Sequence, residues 1–194
     1  MPGFSLIAYT PAVQDAQRHY AGLPQEVIFE PVQLGDAERT FIEDRDGFYL
    51  STVNSDGWPY VQFRGGPRGF LRILDGATIG WADFRSNRQY VSVGNLAGSD
   101  RISLILMDYG RRRRLKLFAR ASVVDAENDP SLAERLTIPA YRGRVERCVT
   151  AKVVAFDWNC PQHITPRWSE EEWADRGKSR TSGCLRRLPN RFAV

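Results

Sequence analysis

The sequence predicts a mainly β protein: a six- to seven-stranded antiparallel split β-barrel with a few short flanking helices. Three observations carry this. Runs rich in β-branched and aromatic residues recur from residue 48 onward. Turns such as Ser55-Asp56-Gly57 and Asp75-Gly76 join neighbouring runs and are too short for parallel crossovers. The helical stretches between them are few and brief. Such strands bury their apolar faces by curling round one core, and closure would also remove sheet edges. At 194 residues the chain fits one domain. We place the barrel at 36–158, an N-terminal extension at 1–35 and a C-terminal tail at 159–194.

In the extension, Pro11 opens a helix with Val13, Ala16, Gln17 and Tyr20 at helical spacing, read as a packing arm. Asp36 is the expected N-cap of a helix that carries Phe41 and Ile42 into the core and ends near Gly47. Residues 48–53 and 60–64 form the first hairpin, and Gly65-Gly66-Pro67 ends it. Phe70–Leu74 and Thr78–Ala82 form the second. A helix follows from Asn87, with Tyr90, Val93, Gly94 and Ala97 on one face. Ile102, Leu104 and Leu106 mark a buried strand, and Leu115 to Val123 alternate with Arg114, Lys116, Phe118 and Arg120 in a longer half-exposed one. Asp129-Pro130 starts a helix reaching about Leu136, and 149–158 is the last strand. Ser169 and Glu172 form a capping box in the tail.

Hydrophobic residues at 42% and charged residues at 26% are ordinary for a globular chain, and no apolar run matches a membrane span. The start, Met1 to Ile7, lacks the basic and long apolar regions of a signal peptide, and Cys148, Cys160 and Cys184 are scattered. The expected compartment is the cytoplasm. Two histidines, His19 and His163, give little scope for a hydrolytic triad. Cys160 and His163 at i, i+3 would be half of a zinc site, and no further ligands accompany them, so no metal is expected.

The net charge is +4, and 24 of the 27 basic residues are arginine, the side chain suited to bidentate phosphate contacts. The stretch Asp83-Phe84-Arg85-Ser86-Asn87-Arg88-Gln89-Tyr90 joins a strand to a helix. Ser86 with Gln89 reads as a capping box. A helix N-terminus flanked by Arg85 and Arg88 is a phosphate seat; a capped surface helix with solvated arginines is the plainer alternative. Gly65 and Gly66 permit either close ligand approach or a tight turn. Arg111–Arg114 lacks aromatic stacking partners for a nucleic-acid patch and reads as a solvated hairpin loop.

Together, Gly47–Val53, Pro59-Tyr60-Val61-Gln62-Phe63-Arg64-Gly65-Gly66-Pro67 and Ala82-Asp83-Phe84-Arg85-Ser86-Asn87-Arg88-Gln89 resemble the pyridoxamine 5′-phosphate oxidase-like family. More narrowly they resemble its flavin-nucleotide-binding branch, from about residue 35 to 158, and Cys160-Pro161-Gln162-His163-Ile164 is similar to that branch too. The resemblance implies a homodimer binding FMN in two interfacial clefts; from the motifs and apolar runs above, no nucleic-acid or membrane partner is expected. It implies that Gln62, Phe63, Arg64, Gly65 and Gly66 border the ring and ribityl chain, with Ala82 and Asp83 on the next strand. Arg88 and Gln89, with Arg85 and Asn87 beside them, match the phosphate-binding segment, and Arg114 falls on a strand position touching the ring. Gln162, His163, Arg167 and Trp168 would cover the partner's flavin.

Many relatives carry lysine where this chain has Gln89 and arginine near Gln62; Arg64 and Arg85 are the candidates for the missing charge. The pyridoxal phosphate-binding residues are not recognisable in the tail. The implied function is therefore an FMN-dependent oxidoreductase passing hydride or electrons to a small molecule, related to that oxidase rather than identical with it. The alternatives are a non-catalytic flavin binder or electron relay, and a split barrel for deazaflavin or haem, with His163 as the haem ligand.

Overall fold

In the computed structural model, residues 3–27, 31–85, 87–139, 141–158 and 161–174 are described. Seven antiparallel strands form one sheet: β1 (Gly47–Val53), β2 (Pro59–Gly65), β3 (Arg72–Ile73), β4 (Thr78–Phe84), β5 (Arg101–Asp108), β6 (Arg113–Asp125) and β7 (Val145–Trp158). Their order is β2-β1-β5-β6-β7-β4-β3. The strand content matches the expectation, while closure is incomplete. β2 and β3 are edges with no ladder between them among the described residues, so the barrel is open along a seam.

The sheet nonetheless wraps round its core. Phe48 of β1 meets Trp81 of β4 edge-on, with ring centroids 5.1 Å apart, and stacks on Phe70 at 5.8 Å. Strand parity explains which side chains fill the interior. Phe48 and Leu50 alternate inward on β1, opposite Leu106 and Leu104 of β5, which in turn face Leu115 and Leu117 of β6. The other parity places Tyr49, Val53, Val61 and Phe63 on the outer face, where Tyr49 and Phe63 meet edge-on at 5.4 Å. That face is exposed: Val61 retains 61% and Phe63 59% of its surface.

The first hairpin is held by Asn54, whose Oδ1 accepts the backbone N–H groups of Asp56 and Trp58, with Gly57 at φ 86°. The second is held by Asp75, whose Oδ1 accepts from Ala77 N and Thr78 N, both at 2.8 Å. These donors hold the Asp75 carboxyl below its usual pKa. β3 is shorter than the expected strand, because Phe70 and Leu71 turn into the core instead of extending the ladder.

Among the described residues, helices α1 (Phe4–Ala8), α2 (Pro11–Ala21), α3 (Asp36–Glu43), α4 (Val91–Gly98) and α5 (Pro130–Leu136) accompany the sheet, with a helical turn in the tail at 170–174. Asp36 is the first helical residue of α3; the cap position is Gly35, whose N–H is taken by the Glu38 carboxylate at 3.1 Å. The sequence pattern missed α1, which pins the extension by stacking Phe4 on Phe118 at 5.4 Å. α2 forms as expected, capped by Thr10, but it buries no residue and so is not the packing part of the arm. No helix among the described residues is long and apolar enough to cross a membrane.

α4 corrects the helix expected from Asn87. It begins at Val91, after residues 87–90 that are not helical, and its cap position, Tyr90, has φ 52°. Arg88 also lies in the left-handed region at φ 59°. The Asn87 side chain accepts from Gln89 N at 3.2 Å, so a local side-chain turn competes with the helix there. Ser86 lies outside the described residues.

Candidate functional site

The seam holds a shallow polar cleft open to solvent. β2 supplies Tyr60, Gln62 and Arg64; the end of β4 supplies Asp83; residues 87–90 form one wall, the start of α4 another, and Arg147 of β7 the floor. Parity is the reason β2 contributes these side chains. Gln62 pairs with Leu50 and Arg64 with Phe48, so both point to the inner side of the sheet, at an edge with no further strand to cover them. The Ser92 hydroxyl of α4 donates to Gln62 Oε1 at 3.1 Å, and Asn95 Nδ2 donates to Thr52 Oγ1 at 2.9 Å, fastening α4 over this end of the barrel.

The electrostatic centre is Asp83, whose side chain is 2% exposed. Arg64 Nη1 donates to its Oδ1 at 2.5 Å, across the open seam. Arg147 Nε and Nη2 donate to Oδ2 at 3.0 and 2.8 Å. Arg147 also reaches Glu146 at 3.2 Å, and its guanidinium lies 4.7 Å from the centre of the Tyr90 ring. Burial alone would weaken the charge on Arg147; its hydrogen bonding and attraction to Asp83, with Tyr90 and Glu146, more than offset this and raise its pKa. Arg64 Nε is buried in the cleft wall with no hydrogen-bond partner.

Of the expected site residues, Gln62, Arg64, Asp83, Asn87, Arg88 and Gln89 converge here. Phe63 stands on the outer face of β2, and Gly65 at its end approaches the same Phe63 ring. Ala82 is buried with Leu136 and Cys148. Arg85 turns away: its N–H is bonded to Arg144 O and its Nε lies 3.6 Å from Glu146. Arg114 pairs with Met107 on the outer parity of β6, away from the cleft lining. Gln162 and His163 are exposed in the tail. Cys160 and Cys184 lie outside the described residues.

Sequence reasoning missed Arg147, Tyr90 and Ser92. For Arg147 the usable signal is cross-strand: Asp83 and Arg147 are register partners of β4 and β7, and that pairing is invisible without the sheet. A second cleft, of about 790 Å³, lies on the outer face between Tyr49, Phe63, Tyr109 and the tail residues Arg167 and Trp168. The tail docks on its own barrel there. Arg167 stacks 5.5 Å from the Tyr109 ring centre, and Arg68 donates to Glu172 at 3.0 Å. The capping box of Ser169 and Glu172 forms as expected.

A family model described as pyridoxamine 5′-phosphate oxidase matches residues 34–154. A HupZ variant from Group A Streptococcus has a TM-score of 0.50 at 13% identity, covering 65% of this chain and 99% of its own. A candidate pyridoxamine 5′-phosphate oxidase from Lactobacillus delbrueckii has a TM-score of 0.51 at 16% identity, covering 66% and 96%. An FMN-binding protein from Syntrophomonas wolfei has a TM-score of 0.47 at 19% identity, covering 63% and 83%. At these identities the likeness to the first two is one of fold. No curated protein matches the sequence. The matched span runs from the turn before α3 into β7 and so takes in the seam and every strand that lines it; the chain belongs to the pyridoxamine 5′-phosphate oxidase family.

Proposed function

We propose that this protein is an FMN-binding flavoprotein of oxidoreductase type that works as a homodimer. The observation that carries the reading is the convergence of Arg64, Arg88 and Arg147 on one cleft whose only lining carboxylate is Asp83. Three guanidinium groups lining one cleft with a single carboxylate suit a phosphate dianion, and Arg64 also carries a buried Nε without a hydrogen-bond partner. The residues present therefore fit the phosphate end of FMN. The sequence match to the family supports the choice of a flavin.

In this reading Arg88, Asn87 and Gln89 form the outer side of the phosphate seat, and Gln62 orients the ligand from β2 through its link to Ser92. When bound, the flavin supplies the hydride or electron chemistry, and the protein positions it and shapes its surroundings. The remaining expected residues, Phe63, Gly65, Arg114, Gln162 and His163, belong to the outer side of the molecule. They reach a flavin only through a second copy. An exposed outer face bearing Val61 and Phe63 supports such a pairing. His163 stands exposed and outside the cleft, which gives the haem alternative no support.

The test is the absorption and fluorescence of purified protein before and after adding FMN, followed by NADH or NADPH. Flavin bands with quenched fluorescence support the site, and turnover of an acceptor separates an enzyme from a binding module. Protein that stays colourless and leaves FMN fluorescence unchanged refutes the reading.

A further inference from the structure

The phosphate seat expected from the sequence rested on a helix start flanked by Arg85 and Arg88. The structure dismantles that arrangement, since α4 begins at Val91 and Arg85 faces Glu146. We infer that Arg147 is the buried anion-binding cation of this cleft, with Asp83 as the positioning residue that clamps it beside Arg64. The inference rests on the flavin reading for the identity of the ligand, but not for the existence of the seat.

Three features lead there. First, the guanidinium of Arg147 is held from three sides: Asp83 by two hydrogen bonds, Glu146 by a third contact, and the Tyr90 ring over its face. A planar fork fixed in this way keeps its remaining donors in one orientation and loses little freedom when it binds. Second, Asp83 shares its two oxygens between Arg64 and Arg147, bringing two like charges to one wall of the cleft. One carboxylate cannot neutralise both, and buried charge without compensation is costly.

Third, the charges of the whole cluster do not balance. Arg64, Arg88 and Arg147 line the cleft with one carboxylate, Asp83, among the described residues, while Arg85 and Glu146 pair beside it, which leaves two positive charges. A phosphate monoester near neutral pH carries about −1.5 to −2, which matches that excess. The seat thereby draws a cation from β7, far away in sequence and opposite Asp83 in the sheet.

The experiment compares wild type, Arg147→Met and Arg147→Lys in fluorescence titrations with FMN and with riboflavin, which has the same ring system but no phosphate. Circular dichroism confirms folding. The expected result is at least a tenfold loss of FMN affinity in Arg147→Met, with riboflavin affinity changed less than twofold. Arg147→Lys keeps the charge but not the fork, and should fall between the two. FMN and riboflavin weakening in parallel, or FMN binding unchanged, would overturn the assignment. Should Arg147→Met fail to fold, the same selective loss of FMN is required of Arg147→Lys. If wild type binds neither flavin, the flavin reading fails by itself and inorganic pyrophosphate decides the seat. A rise in the Tm of wild type that Arg147→Lys lacks supports the seat, and no rise in wild type overturns it.

Discussion

Replacing Asp83 by Ala should be among the most destabilising single changes in this protein, although it removes no apolar contact. The carboxylate is 2% exposed and receives three hydrogen bonds, at 2.5, 2.8 and 3.0 Å, from Arg64 and Arg147. Removing one partner of a buried charge pair costs about 3–5 kcal/mol, because the other charge stays buried without compensation. Here two guanidinium groups are stranded, with side chains 18% and 13% exposed. Their partial access to water places the expected loss near the lower end, about 3 kcal/mol. Removing Arg147 instead leaves the Arg64–Asp83 pair intact and should cost less, about 1–3 kcal/mol. The two changes share a partner, so in a double-mutant cycle they should couple by about 1–3 kcal/mol rather than add. Urea denaturation of Asp83→Ala, Arg147→Met and the double variant measures all three quantities. A loss under about 1 kcal/mol for Asp83→Ala, or a coupling energy near zero, would show that the clamp does not hold in solution.

Phe48→Ala should cost about 3–5 kcal/mol in the same assay, since the ring is 1% exposed and joins β1 to both Phe70 and Trp81. The depressed pKa of Asp75 makes its charge stabilising above the unfolded-state pKa, and that contribution is lost as pH falls through the folded value. The stability gap between wild type and Asp75→Asn should therefore be present at pH 7 and vanish at low pH; a gap independent of pH refutes it. Burial, with Asp129 nearby, pushes the Cys148 thiol above its usual pKa. In a C160S/C184S chain, Cys148 should resist Ellman's reagent until the protein is unfolded, and fast labelling of folded protein would contradict this.

Much of the fold was legible because strands announce themselves locally. A run of β-forming residues marked β1, alternation marked β5 and β6, and turn formers marked both hairpins. What failed was local in another way. The Ser86/Gln89 spacing looks like a capping box, yet the Asn87 side chain takes the Gln89 N–H and the helix waits until Val91. α1 is five residues long and is set by Phe4 stacking on Phe118 rather than by any helical pattern. The Arg111–Arg114 run illustrates how composition misleads. Arg111 is paired with Asp108, and Arg113 stacks over Trp158 at 4.5 Å, so two of its four charges are committed within the fold.

The site was half legible, and the division follows from geometry. Residues on β2, at the end of β4 and in the loop before α4 sit close to family-like motifs, and six of the expected ones do meet in the cleft. Arg147 carries no motif. Its position is set by the β4–β7 register, which shifts at a bulge between Asp83 and Phe84 just where the strand leaves the sheet. A bulge there re-aims the side chains beside it. The same irregularity that ends β4 thus coincides with the buried carboxylate, and the open seam beside it leaves room for a ligand. An extra strand pairing with β2 would have closed the barrel, but its side chains would have filled the cleft. In this chain the unsatisfied sheet edge and the surplus of arginine charge occur at one place, and a single anionic ligand answers both.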